Sequence, residues 1–141
     1  MVRKWWRKSR VPRDVEVELV GARILARCED EAAAASSVLA QAAIEGADEL
    51  LLRHVAVVPG EAVEEFVRRC AVDGYVRAPA LPSDPVAPDG AVAVAVARLQ
   101  KIDARSVSAE RALLSSMTAR SGGAFGGWAV LAPGSVATVT E

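Results

Sequence analysis

Leu50-Leu51-Leu52-Arg53-His54-Val55-Ala56-Val57-Val58-Pro59-Gly60 is the stretch on which the fold turns. The run from Leu50 to Val58 is aliphatic and β-branched, and Pro59-Gly60 stops it, so it reads as a strand running into a turn. The period then changes. From Glu61 to Asp73, Val63, Phe66, Val67, Cys70 and Ala71 recur at spacings of three and four, the pattern of an amphipathic helix. Glu64→Arg68 and Glu65→Arg69 are favourable i,i+4 pairs on its polar side. Gly74 ends the helix, and Tyr75-Val76-Arg77-Ala78 suits a short strand. Residues 79–90 contain Pro79, Pro82, Pro85 and Pro88 and read as a loop, because proline cannot donate to a sheet ladder.

Ala91 to Lys101 is the clearest strand, with Val92, Val94 and Val96 on one side and Ala91, Ala93, Ala95 and Ala97 on the other. Ser106 to Ser121 is helical in pattern. Ser106 or Ser108 is placed to cap its start and Gly122-Gly123 to end it. Trp128 to Ala132 is a last strand. From residue 50 the order is therefore strand, helix, strand, strand, helix, strand, which predicts an α+β fold with a ferredoxin-like split βαβ antiparallel sheet. The valines of 91–101 are expected to face the helices. The alanines are left for an N-terminal element or a second subunit to cover.

Upstream, Val15, Val17 and Leu19 alternate with Glu16 and Glu18, the period of a half-buried strand. With a turn at Gly21-Ala22 and a second strand from Arg23 to Cys28, this predicts an N-terminal strand pair. An extra alanine-rich helix is expected over 30–45, with Asp30 as N-cap and Gly46 after its end. The organisation expected is an arm over 1–13, one domain over 14–135 and a tail over 136–141.

The chain has 141 residues, 52% of them hydrophobic and 25% charged, which excludes a largely disordered polymer and fits one domain. The net charge of −1 is unevenly spread. Residues 1–13 hold six basic groups and no acid, and the remaining 128 hold 11 basic and 18 acidic groups. An acidic body thus carries a basic arm. Arg3, Lys4, Trp5, Trp6, Arg7 and Lys8 suit either an anionic lipid surface or RNA, with packing on the domain as the third reading. The charged start is not followed by the apolar stretch of a signal peptide, so the expected place is cytoplasmic, membrane-peripheral if the arm binds lipid. No apolar run approaches the roughly 18 residues of a membrane span.

Three stretches resemble the ribonuclease E inhibitor family, also called regulator of ribonuclease activity B. The first is Arg53-His54-Val55-Ala56-Val57-Val58 with the helix after it and Asp73-Gly74-Tyr75-Val76. The second is Ala91–Ile102 with the helix that follows. The third is Gly122-Gly123-Ala124-Phe125-Gly126-Gly127-Trp128, similar to the family's closing Gly-Gly-Glu-Tyr-Asp-Gly-Trp. The match spans roughly residues 30–132. It implies a ferredoxin-like regulator that binds a ribonuclease and changes its activity without catalysis of its own. The acids before Gly-Trp are absent here, and the basic arm is an addition.

The single histidine, His54, lies within a strand and reads as structural. Cys28 and Cys70 are too few for a disulfide framework or a four-ligand zinc site and read as core. Glu29-Asp30-Glu31 reads as an acidic helix start rather than a metal cluster. The glycine run follows a helix instead of opening one, the wrong order for a phosphate cradle, and reads as a helix stop plus a tight turn. No catalytic residue, metal or cofactor is expected. The leading expectation is a non-enzymatic regulator binding a protein partner, a ribonuclease by resemblance, through Glu61, Glu64, Glu65, Phe125, Gly127 and Trp128. The other reading of the two aromatics is Trp128 as a packing anchor and Phe125 as core. The alternative is an oligomeric scaffold or membrane-peripheral adaptor pairing through the alanine face.

Overall fold

The computed structural model describes residues 14–30, 32–44 and 49–134. The basic arm, Glu31, Gly46 and the 136–141 tail lie outside the described residues. The elements are α1 (Val15–Leu19), β1 (Arg23–Cys28), α2 (Ala35–Gln41), β2 (Glu49–Pro59), a 3₁₀ turn (Gly60–Ala62), α3 (Val63–Val72), β3 (Val76–Ala78), β4 (Ala91–Lys101), α4 (Ala104–Arg120) and β5 (Ala124–Ala132). The strands form one antiparallel sheet in the order β1-β5-β2-β4-β3. The fold is thus α+β.

β2 and β4 pair residue for residue from Glu49↔Lys101 to Pro59↔Ala91, and β5 lies along the other edge of β2. Val94 and Val96 face α3 and α4 as expected, packing with Phe66, Cys70, Leu114 and Met117. α2 closes the same face farther along, where Leu39 meets Leu52, Ile102, Val107, Trp128 and Val130. Fully burying a side chain such as Phe66 or Leu114 contributes about 2–3 kcal/mol. α3 and α4 both end on glycines in the left-handed region, Gly74 and Gly122, with the backbone bonds of a Schellman motif.

The N-terminal strand pair is not formed. Residues 15–19 are helical, and β1 instead adds to the sheet beside β5. The cause is local. Asp14 Oδ1 accepts from the Glu16 N–H and the Asp14 carbonyl from the Glu18 N–H, which closes a helical turn. Positions 15 and 19 share a face in a helix as well as in a strand, so alternation over so short a run does not separate the two. Val15 and Leu19 pack on Leu51, Ala129 and Leu131.

Of the covers expected for the alanine face, an N-terminal element is the one present, as a helix rather than a strand pair. Ala95, Ala97 and Ala129 are buried, under Leu19 of α1 and the 79–90 segment. The described chain thus covers the middle of that face itself, while Ala91 and Ala93 at its end stay half-buried.

Three boundaries also move. α2 begins at Ala35 with no side-chain cap, because Asp30 is spent on a turn, accepting from the Ala32 N–H. α4 begins two residues early, and its cap is Asp103, which accepts from the Ser106 N–H while the Ser106 hydroxyl accepts from the Asp103 N–H. β5 begins at Ala124, so Phe125, Gly126 and Gly127 are strand residues rather than a turn. The register with β2 slips at Gly126, between Val55↔Gly127 and Ala56↔Phe125, forming a bulge.

α2 ends on Ala43 at φ 58, with Ile44 N–H bonded to the Leu39 carbonyl and Ala43 N–H to that of Ala40. This is a Schellman end with alanine where glycine is preferred. Ala43→Gly is therefore expected to stabilise the protein by about 1 kcal/mol, read as a higher urea midpoint at unchanged slope.

Candidate functional site

Arg53 and His54 are adjacent on β2, so their side chains leave opposite faces of the sheet. Both are almost fully buried, at 3% and 1% exposure. Two polar clusters result, one beneath the helices and one on the α1 side.

Beneath the helices, His54 meets Tyr75, which follows α3, and Phe125 on β5. The Tyr75 hydroxyl donates to Glu110 Oε1 at 2.7 Å. Its only proton is then used, so it accepts from His54 Nε2–H at 3.3 Å. Arg98 completes the cluster, with its guanidinium 4.8 Å above the Tyr75 ring and 3.1 Å from Glu110. Arg98 also donates to the Asp73 carbonyl and to Gln100, tying β4 to the end of α3. Among the described residues His54 Nδ1 has no partner, nor does Trp128 Nε1 on the neighbouring strand.

The electrostatics follow from this burial. Desolvation, reinforced by Arg98, lowers the His54 pKa to about 3, so the imidazole is neutral across the physiological range. Burial and the bond to Glu110 hold the Tyr75 phenol well above its usual range. Burial, with Asp73 nearby, pushes the Cys70 thiol up to about 12, far from a reactive thiolate. His54, Tyr75 and Cys70 are thus buried groups held in one charge state each, while Glu110 and Arg98 reach partly into solvent.

On the other face, Arg53 grips the 79–90 segment. Its guanidinium donates to Asp84 Oδ1 and Oδ2, both at 2.7 Å, and to the Pro79 carbonyl at 2.9 Å. Asp84 Oδ2 also accepts from the Leu81 N–H. Burial pushes the Asp84 carboxyl up, but its bonds to Arg53 and Leu81 outweigh this and hold it below the usual value. The opposing strand residues are Ala97 and Ala129, and their small size leaves room for the arginine. Beside the pair lies a narrow cleft between Arg27, Val55, Ser83, Gly126 and Gly127, with about 20 Å³ of room, enough for one water.

The partner-binding residues expected from sequence separate into two groups. Glu61 and Glu64 are exposed at the start of α3. Glu65 is half-buried and bonds both Arg68 and Arg69, so Arg68 turns to Glu65 rather than to Glu64. Phe125 is half-buried, where it borders both helix-side clusters. Gly127 and Trp128 are buried, and Trp128, 2% exposed, is a core anchor that presents no ring to a partner. Gly127 has φ 128, and a Cβ there would stand 2.7 Å from the Cys28 carbonyl oxygen, so this glycine serves the β1–β5 approach. The anionic-surface residues Arg3, Lys4, Trp5, Trp6, Arg7 and Lys8 lie outside the described residues.

Sequence reasoning missed Arg53, Asp84, Tyr75, Arg98 and Glu110. A signal was present for Arg53, a lone cation inside an apolar strand. Nothing in the spacing joins it to Asp84, 31 residues away. Among the described residues no group of three or more His, Cys, Asp and Glu side chains is placed to hold a metal, and no helix is long and apolar enough to cross a membrane. No family model, no curated protein and no solved structure matches this chain.

Two outcomes follow from the buried cluster. With a folded-state pKa of about 3 against the ordinary 6.5, His54 takes up its proton first in the unfolded chain as pH falls. The stability tied to neutral His54 is fully present above pH 6.5 and is lost towards pH 3, with a slope approaching about 1.4 kcal/mol per pH unit. His54→Gln should flatten urea-measured stability over that window relative to wild type. Tyr75→Phe removes the hydroxyl shared by His54 and Glu110 and should cost about 1–3 kcal/mol in the same assay.

Proposed function

We propose that this protein is a non-catalytic regulator that works by binding another protein, and that its target is a ribonuclease of the ribonuclease E type. The reading starts from the resemblance over residues 30–132. The strand order supports it: β5-β2-β4-β3, with α3 and α4 on one face, is the order a ferredoxin-like sheet requires. The observation that carries it is the meeting of two expected contact regions at one end of the molecule. Gly122 lies against Pro59, immediately before the turn that bears Glu61, and Ala124 pairs with Val57. The exposed Glu61 and Glu64 therefore stand near the exposed Ala124 and half-buried Phe125.

Burial of Gly127 and Trp128 narrows the expected contact surface to Glu61, Glu64, Glu65 and Phe125, with Glu65 already engaged by Arg68 and Arg69, and exposed Ala124 joins it. Acidic side chains at the rim of such a patch suit a basic partner surface, where they act mainly on encounter rate. The buried, neutral His54 agrees with a structural role for the residue that any histidine-based chemistry in this chain would need.

The test is direct. Purified protein should slow RNA cleavage by a ribonuclease E-type enzyme and bind it in a salt-sensitive manner. Glu61→Lys with Glu64→Lys should reduce the association rate about tenfold and flatten its salt dependence. Unchanged cleavage at saturating protein, with no complex by surface plasmon resonance, would rule this target out.

A further inference from the structure

The 79–90 segment crosses the α1 side of the sheet and has no regular structure of its own. Among the described residues, the hydrogen bonds that join residues 79–89 to the body all end on one guanidinium, that of Arg53. Of the remaining bonds, Asp84 N–H to the Leu81 carbonyl, Leu81 N–H to Asp84 and Ala91 N–H to the Pro88 carbonyl are local, and Gly60 N–H to the Gly90 carbonyl fixes only the segment's last residue, where β4 begins. Pro79, Pro82, Pro85 and Pro88 have no N–H to give, so this segment cannot become an extra strand. Between its two ends the segment's polar hold on the body is thus a single residue, with side-chain packing such as that of Pro85 beside Gly126 as the rest, and a cover held in that way has a catch.

The catch has the chemistry of a recognition site. A two-pronged arginine–carboxylate pair is how proteins bind acidic groups from other chains. A buried ion pair is weak evidence for stability, since well-packed apolar groups of the same volume often do as well or better. Arg27 lies on the wall of the adjoining cleft and its charge also acts on Asp84. The body's share of that wall includes Val55, Gly126 and Gly127, which are small or slender, and one acid, Glu29, which lies 3.8 Å from the Arg27 guanidinium. Lifting residues 81–85, which line the other side, is what would make room for an extended chain.

We propose that residues 79–90 form a displaceable strap in which Asp84 occupies, from within the chain, a carboxylate site centred on Arg53, and that an acidic extended peptide of a partner takes the same site when the strap lifts. The site lies on the opposite face of the sheet from α3, so it stands independently of the ribonuclease reading.

The test uses the full chain and a capped peptide with the sequence of residues 79–90. In Asp84→Ala, amide exchange over 80–90 should accelerate about tenfold while β2 and β4 stay protected, and the peptide should bind about tenfold more tightly than to wild type, whose own strap competes. Binding should vanish in Arg53→Met/Asp84→Ala and with a peptide lacking its Asp84. Unchanged exchange overturns the strap. Faster exchange without Arg53-dependent peptide binding overturns the carboxylate site. Asp84→Asn, which keeps the volume, guards against a misfolded alanine variant. Global unfolding of both would make the pair a structural pillar and overturn the proposal.

Discussion

The structure depends on one strand being buried on every side. β2 has β4 on one edge and β5 on the other, helices over one face and α1 with the 79–90 segment over the other. A central strand in that position is normally aliphatic throughout. This one carries Arg53 and His54 side by side, with their side chains on opposite faces. Each must find partners inside the fold, because a buried polar group left alone costs about 1–3 kcal/mol and a buried lone charge more. Much of what is distinctive in the molecule answers that demand.

The two faces answer it differently. For His54 the solution is neutrality. Its imidazole gives up its charge, uses one ring nitrogen on Tyr75 and leaves the other unpaired. Tyr75 passes the chain of bonds to Glu110, and Glu110 to Arg98, which ends it in partial contact with water. Four elements meet there: β2, the end of α3, β4 and α4. Arginine cannot become neutral, so Arg53 requires a carboxylate. The chain delivers one from a loop 31 residues away, and the alanines at 97 and 129 make space for the meeting. The alanine side of β4 is thus room for an ion pair and a short helix, not a bare surface.

This explains which parts of the fold were legible in the sequence. β4, α3 and the core of β2 follow from period alone, since their apolar residues are long runs with one consistent spacing. The valine face of β4 was correctly aimed at the helices for the same reason. The misreadings fall where two local rules give the same pattern. Val15 and Leu19 share a face under either period, and only the turn closed by Asp14 decides for helix. Asp30 and Asp103 are both acids ahead of a helix. Asp103 caps its helix in a reciprocal pair with Ser106, whereas Asp30 closes a separate turn. Gly126 and Gly127 look like a turn because glycine marks turns, yet here they let β5 bulge and approach β1. The candidate sites were the least legible. Arg53–Asp84 and Tyr75–Glu110 are long-range pairs of single residues, and periodicity carries no information about such pairs.

The same packing sorts surfaces by what they can do. A side chain at the centre of the sheet is spoken for, so Trp128 and Gly127 hold β5 in place whatever partner the protein has. A surface available to a stiff macromolecular partner must lie at a rim, and the end where β2 turns into α3 and α4 turns into β5 is such a rim. Its acids lie outside the core, so changing them alters long-range attraction and leaves the buried clusters undisturbed. The strap side has the opposite character. Its charges are sealed in, and a partner reaches them only by replacing contacts the chain already makes with itself. The proposed binding there would be an exchange of one carboxylate for another, with affinity set by the difference between the two. The two proposed surfaces would therefore obey separate physical rules, open attraction at the rim and competition at the strap.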